Sequence, residues 1–178
     1  MLNDRRKRER FDRDVLPLLD SAYNLARWLT NSDDDAADVV QEACLRAFKA
    51  LDSLVSSDGK AWFLTIVRNA GHSFLRKRRE KVAAYEAELE ALEWDGPNPE
   101  QALMVDLERE LLTSFLEELP VDFREVVVLR ELEELSYKEI SEITQMPIGT
   151  VMSRLNRARR RLRQRAADRT PEGWHIGM

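Results

Sequence analysis

"SYKEISEITQMPIGTVMSRLNRARRRLRQR", Ser136 to Arg165, decides the fold. It opens with Ser136-x-x-Glu139, the capping-box pattern in which a serine side chain accepts from the backbone three residues on and the glutamate there reaches back. The helix so started, "SYKEISEIT", is short and carries Ile140 and Ile143 on its inner side. "QMP" then turns the chain. Pro147 suits the first position of a second helix, where its missing N–H costs nothing, and Gly149 leaves room for a neighbouring helix or a phosphate to approach the backbone. From there Val151, Leu155, Ala158 and Leu162 fall within about 60 degrees of arc at the helical period. Ser153, Arg154, Arg157, Arg160 and Arg161 face the other way. Two helices joined by a tight turn, the second studded with arginine on its outer side, make the helix-turn-helix pattern.

That density of arginine runs against the rest of the chain. Residues 149–165 contain seven arginines, yet the 178 residues together carry a formal net charge of -5. The charge is segregated. Residues 60–81 hold seven basic groups against one acidic, and residues 150–169 hold eight against one. Residues 31–58 hold two basic groups against seven acidic, and residues 82–118 hold one against eleven. A solvated helix face usually mixes both signs, so islands of one sign point to a polyanion. Nucleic acid held at two places is the reading, with the acidic remainder discouraging indiscriminate binding.

Other classes are excluded by what the chain lacks. A single cysteine, Cys44, and two distant histidines, His72 and His175, cannot build a disulfide framework or a zinc site within one chain. Cys44 itself reads either as a small buried residue on a helix or as a regulatory thiol. There is no Gly-rich phosphate loop, no nucleophile elbow and no metalloprotease motif, so neither an enzyme nor a protein with a cofactor or a small-molecule substrate is expected. No apolar run is long enough for a membrane span, and the start of the sequence continues into charge rather than a signal-peptide core. The expected location is the cytoplasm.

The remaining segments read as helices. Phe11, Val15, Leu18, Leu19, Ala22, Ala26 and Leu29 recur at helical spacing and predict one helix that tolerates Pro17 in its first turns. "NSDDD" supplies N-caps for a second helix through Leu51, "SSDG" a loop, and a third helix runs from about Lys60 to Arg79 with an acidic continuation toward Trp94. "WDGPNP", Trp94 to Pro99, marks a linker. Beyond it come a helix from about Pro99 to Leu119 and another after Pro120 through Leu132; "VVVL" at Val126 to Leu129 could pass for a strand, but acidic helix formers surround it. The expected fold is all-α: two small helical domains joined by an acidic linker.

On the third helix, Trp62, Phe63, Ile66, Val67, Ala70 and Phe74 share one arc and Thr65, Arg68, Asn69, His72 and Arg76 the opposite one. The aromatic residues lie on the core side, though base stacking by Trp62 and Phe63 stays open at this point. The polar arc is a positive stripe continued by Lys77, Arg78 and Arg79.

These residues carry a family likeness. "DDAADVVQEACLRAF" (Asp34 to Phe48), "AWFLTIVRNAGHSFLRKRR" (Ala61 to Arg79) and "LPVDFREVVVLRELEELSYKEISEITQMPIGTVMSRLNRARRRLR" (Leu119 to Arg163) resemble, in order, signatures of the extracytoplasmic-function (ECF) sigma factors of the sigma-70 family. The resemblance implies a sigma domain two over residues 8–95, a linker over 96–104 and a sigma domain four over 105–168. It implies that Asp38, Gln41 and Glu42, which share a helix face with position 45, dock on the β′ clamp helices of core RNA polymerase, and that domain four meets the β flap. It assigns the −10 promoter element to Lys60, Thr65, Arg68, Asn69, His72, Arg76, Lys77, Arg78 and Arg79, with a base captured by the loop from Leu54 to Lys60. It assigns the −35 element to Thr150, Ser153, Arg154, Arg157, Arg160 and Arg161. Met152 and Asn156 stand where relatives vary, so the hexamer read does not transfer. The acidic segment from Val82 to Glu100 would thread toward the RNA path. An anti-sigma factor is implied as a partner, alongside promoter DNA. Two rivals remain: a stand-alone helix-turn-helix regulator, and a sigma mimic that sequesters an anti-sigma factor.

Overall fold

Pro17 divides the first apolar stretch into two helices. In the computed structural model, which describes residues 2–54, 59–89 and 113–169, α1 spans Leu2–Asp14, a single 3-10 turn Leu16–Leu18, and α2 Leu19–Thr30. The periodicity predicts one continuous helix here. Proline has no N–H to donate and its ring crowds the carbonyl four residues back, so the first helix stops at Asp14 and the 3-10 turn re-aims the chain.

α2 ends at Asn31, which takes the left-handed conformation (φ 57°) that asparagine adopts more readily than most residues. Ser32 then caps α3, Asp33–Ala50: its Oγ accepts from the Asp35 N–H at 3.3 Å, and Asp33, Asp34 and Asp35 sit against the positive end of the helix dipole. The long helix α4 spans Gly59–Leu89, so the acidic continuation is helical at least to Leu89. α2, α3 and α4 pack around Leu25, Leu29, Val39, Ala43, Phe63, Leu64 and Val67. Phe63 is fully buried and Trp62 half-buried against the same core, so both pack. α4 crosses α2 closely at Gly71, where a Cβ would lie 2.9 Å from Leu29 Cδ1.

The second unit begins, among the described residues, with a short helix α5 over 113–117. α6 spans Val121–Val127 and runs into a π-helical turn, Val128–Leu132, so the apolar run that resembles a strand is helical. α7, Tyr137–Thr144, and α8, Ile148–Arg169, form the helix-turn-helix. The capping box is formed on both sides: Ser136 Oγ accepts from the Glu139 N–H at 3.2 Å and Glu139 Oε2 from the Ser136 N–H at 2.7 Å. Pro147 stands one residue earlier than predicted, outside α8, where its carbonyl accepts from the N–H groups of Thr150 and Val151. Gly149 has no atom within 4 Å of a Cβ position, so helix packing is not its use. Val151, Leu155, Ala158 and Leu162 are buried as their arc requires, joined by Ala166, Phe115, Val126, Leu129, Ile140 and Ile143. "WDGPNP", the predicted linker over 96–104, the domain limits set at 95 and 105, and the predicted helix from Pro99 as far as Leu112 lie outside the described residues, as does most of the loop from Leu54 to Lys60.

The two units touch. α6 lies against α2, and α7 against α4.

Candidate nucleic-acid interface

α8 carries the more open of the two basic faces. Its inward side chains are buried, which turns Ser153, Arg157, Arg160 and Arg161 to solvent, with Thr150 and Arg154 half-buried beside them. These residues sit on the first four turns of a helix whose start is fixed by the turn after α7, the placement that lets side chains near the N-terminus reach base edges in a major groove and those further along meet phosphates. Neighbouring groups hold some of them in place. The Arg161 guanidinium lies 4.8 Å over the Phe123 ring, and Arg154 comes within 3.6 Å of Asp122. Arg159 donates to Glu131 at 2.5 Å, which raises its pKa, so its charge is already paired by the protein.

The stripe on α4 is brought together as predicted on the side away from the Phe63 core, but its surroundings differ along its length. Asn69, Arg76, Lys77, Arg78 and Arg79 are exposed; Arg78 pairs with Asp35 at 2.7 Å across to α3. Thr65 spends its hydroxyl on the Ala61 carbonyl at 2.8 Å. Lys60, Arg68 and His72 face the second unit. Arg68 Nε donates to Glu125 at 2.5 Å and His72 Nε2 lies 3.1 Å from the same oxygen, while Lys60 Nζ meets Glu133 Oε2 at 3.0 Å. Burial would push the Glu125 carboxyl up, yet the His72 hydrogen bond and the Arg68 charge hold it below the usual carboxylate range.

The third face is acidic. Asp38, Gln41 and Glu42 are exposed together on α3, and Leu45, more than half exposed, adds an apolar group to the same side. Glu42 is paired with Arg46 at 2.7 Å, which lowers its pKa. Cys44, next to this face, is half-buried and packs against the core, and burial pushes its thiol up.

Two family models match the chain, sigma-70 region 2 over residues 13–81 and sigma-70 region 4 over residues 109–162. It is 38% identical over 134 residues to the ECF RNA polymerase sigma-E factor of Escherichia coli, an alignment covering 70% of each chain. This chain is an ECF sigma factor. The sigma factor is also 32% identical over 154 residues to the ECF RNA polymerase sigma factor SigE of Mycolicibacterium smegmatis, where the match covers 86% of the present chain and 60% of that relative. Among solved structures it superposes on the sigma factor RpoE, in complex with the anti-sigma factor NepR from Bartonella quintana, with a TM-score of 0.72 and 29% identity over 90% of this chain and 98% of that one.

Sequence reasoning missed the residues that join the sigma factor's two units. Arg124 is buried and reaches from α6 to the end of α2, donating to the Trp28 carbonyl at 2.7 Å and to Asn31 Oδ1, and back to the carbonyls of Glu117 and Leu119, each at 2.9 Å. Glu125 and Glu133 are its acidic counterparts. The one signal was the charged pair Arg124-Glu125 set directly before four apolar residues, where a charge on a buried helix needs a partner.

Proposed function

We propose that this chain is a promoter-specificity subunit: it binds core RNA polymerase and directs it to a small set of promoters, catalysing no reaction itself and working in the cytoplasm. One observation carries the reading. A single chain of sigma-70 regions 2 and 4 presents two separate cationic helix faces, on α4 and α8, and a third, acidic face on α3. Residues 8–95 act as domain two and 105–168 as domain four. Asp38, Gln41, Glu42 and Leu45 dock on the β′ clamp helices, domain four meets the β flap, the α4 stripe contacts the −10 element as it melts, and Thr150, Ser153, Arg154, Arg157, Arg160 and Arg161 contact the −35 element. Likeness, across both units in one superposition, to a sigma factor held by an anti-sigma factor supports an inhibitory partner for this chain as well.

The test is transcription by core polymerase reconstituted with the protein on a genomic DNA library, with transcript starts mapped. Arg154→Ala and Arg157→Ala are each expected to weaken selection of the −35 sequence by about 1–3 kcal/mol where the side chain meets a base. Arg68→Ala is expected to slow promoter melting and leave −35 preference intact. Unchanged promoter choice by the Arg154/Arg157 double variant would refute the α8 assignment. Failure to co-purify with core polymerase would favour the stand-alone regulator instead.

A further inference from the structure

Among the described residues three charged side chains are buried, Arg124, Glu125 and Glu133, and all three lie where the two units meet. The Glu125 side chain is 0% exposed and holds Arg68 and His72 together. Glu133 receives Lys60 at 3.0 Å and the Asn24 amide at 2.9 Å, and its own carbonyl accepts from Lys60 at 3.1 Å. The π-helical turn makes this possible: the Glu133 N–H donates to Val128 and the Leu135 N–H to Leu129, a wider closure than an α-helix gives, which swings Glu133 back toward α2 and α4.

Carboxylate oxygens thus meet Lys60, Arg68 and His72, the groups that the −10 reading gives to DNA phosphate; a phosphodiester carries the same single negative charge and accepts from the same donors. Masking is selective. Arg157, Arg160 and Arg161 on α8 stay open to solvent, as do Asp38, Gln41 and Glu42 on α3; Lys60, Arg68 and His72 on α4 are partly covered. An interface whose buried groups are ions also separates without exposing only apolar surface, because each ion regains water as it loses its partner.

We propose that Glu125 and Glu133 form an intramolecular latch, standing in for DNA phosphate on Lys60, Arg68 and His72, so that the free chain rests closed and must open before it can hold a melted strand. The proposal rests on the reading of the α4 stripe as a DNA contact. It gives the second unit an inhibitory role toward the first, separate from its own contact with duplex DNA.

The experiment uses the full chain, with Glu125→Gln, Glu133→Gln and the double variant, and Glu142→Gln as the control. Glutamine keeps the shape of the side chain and removes its charge; Glu142 is an exposed carboxylate on α7, 4.0 Å from Lys138, outside the latch. Small-angle X-ray scattering reports the radius of gyration, and fluorescence anisotropy reports binding to a fluorescein-labelled pool of short random-sequence single-stranded DNA. If the open form makes up about a tenth of the free chain, releasing the latch tightens binding about tenfold. The latch variants are expected to expand and to bind more tightly, and Glu142→Gln to do neither. Circular dichroism identifies folded variants, and where Glu125→Gln does not fold, Glu133→Gln decides. Unchanged dimensions in the folded latch variants would overturn the proposal, and so would an equal gain in binding from Glu142→Gln, which would reduce the effect to net charge. The stripe's role in promoter melting is tested apart from this by Asn69→Ala and Arg76→Ala, exposed stripe residues outside the latch, in the reconstituted polymerase, so failure of that reading and failure of the latch are told apart.

Discussion

Two helical glycines meet opposite surroundings. At Gly71 a Cβ would press on Leu29 Cδ1 at 2.9 Å, whereas at Gly149 it would meet nothing within 4 Å. Alanine is favoured over glycine inside a helix by up to about 1 kcal/mol, and overpacking a core costs about 1–3 kcal/mol. At position 71 the obstructing side chain, Leu29, is itself buried in the core and has little room to turn, which puts the cost near the middle of that range, about 2 kcal/mol. Gly71→Ala is therefore expected to destabilise the fold by about 1 kcal/mol net, and Gly149→Ala to leave it unchanged or stabilise it by up to about 1 kcal/mol. Urea unfolding midpoints of the two variants check this; shifts of the same sign would contradict it. Should the backbone at Gly149 approach a phosphate, Gly149→Ala would weaken binding to duplex DNA while its midpoint held, which separates a contact from a packing role at a single residue.

α7 is the element on which several others depend, since it packs against α8 within its own unit and against α4 across the interface. Its eight residues are too few to be stable as an isolated helix. The capping box holds its start, and the Glu139 carboxylate, kept below the usual range by the Ser136 hydrogen bonds, is the return half of that box. Ser136→Ala is expected to cost about 1 kcal/mol of unfolding free energy, read as a lower melting temperature, with Ser136→Asp recovering most of the loss; an unaffected melting temperature would mean that tertiary packing alone fixes α7. Elements of this kind were legible in the sequence because caps and apolar periods are local. Ser136, Glu139 and the arc from Val151 to Leu162 announce their helices within a few residues. Pro17 shows the limit of that reasoning: the apolar period runs straight through it, and only the backbone chemistry of proline says that the helix must stop. The partners of Arg68 and His72 were out of reach, because Glu125 lies 57 and 53 residues away and nothing in the period of α6 says which helix it will face. The stripe on α4 could be read as a face; that part of it is covered could not.

At the scale of the whole molecule, the closed arrangement ties the position of the two units to the ionisation of two carboxylates. Glu125 faces Arg68 and His72 on α4, and Glu133 faces Ser21 and Asn24 on α2 and Lys60 on α4. Burial raises both acids, but these partners outweigh it and hold each below the ordinary range in the closed form. In an open form both are exposed and titrate as ordinary glutamates, near pH ~4.3. An acid whose pKa is lowered in one state stabilises that state at every pH above its ordinary value, and the contribution disappears as pH falls through the lowered value. Closure should therefore hold at neutral pH and weaken only below about pH 4. The radius of gyration measured by X-ray scattering at constant ionic strength is expected to rise there in the native chain. In the Glu125→Gln/Glu133→Gln double variant the units should already be apart at neutral pH, and the radius should show no such step. Circular dichroism on the same samples separates opening from unfolding, since opening keeps the helical signal. A step of equal size in the double variant would mean that other carboxylates, not these two, govern how the units sit.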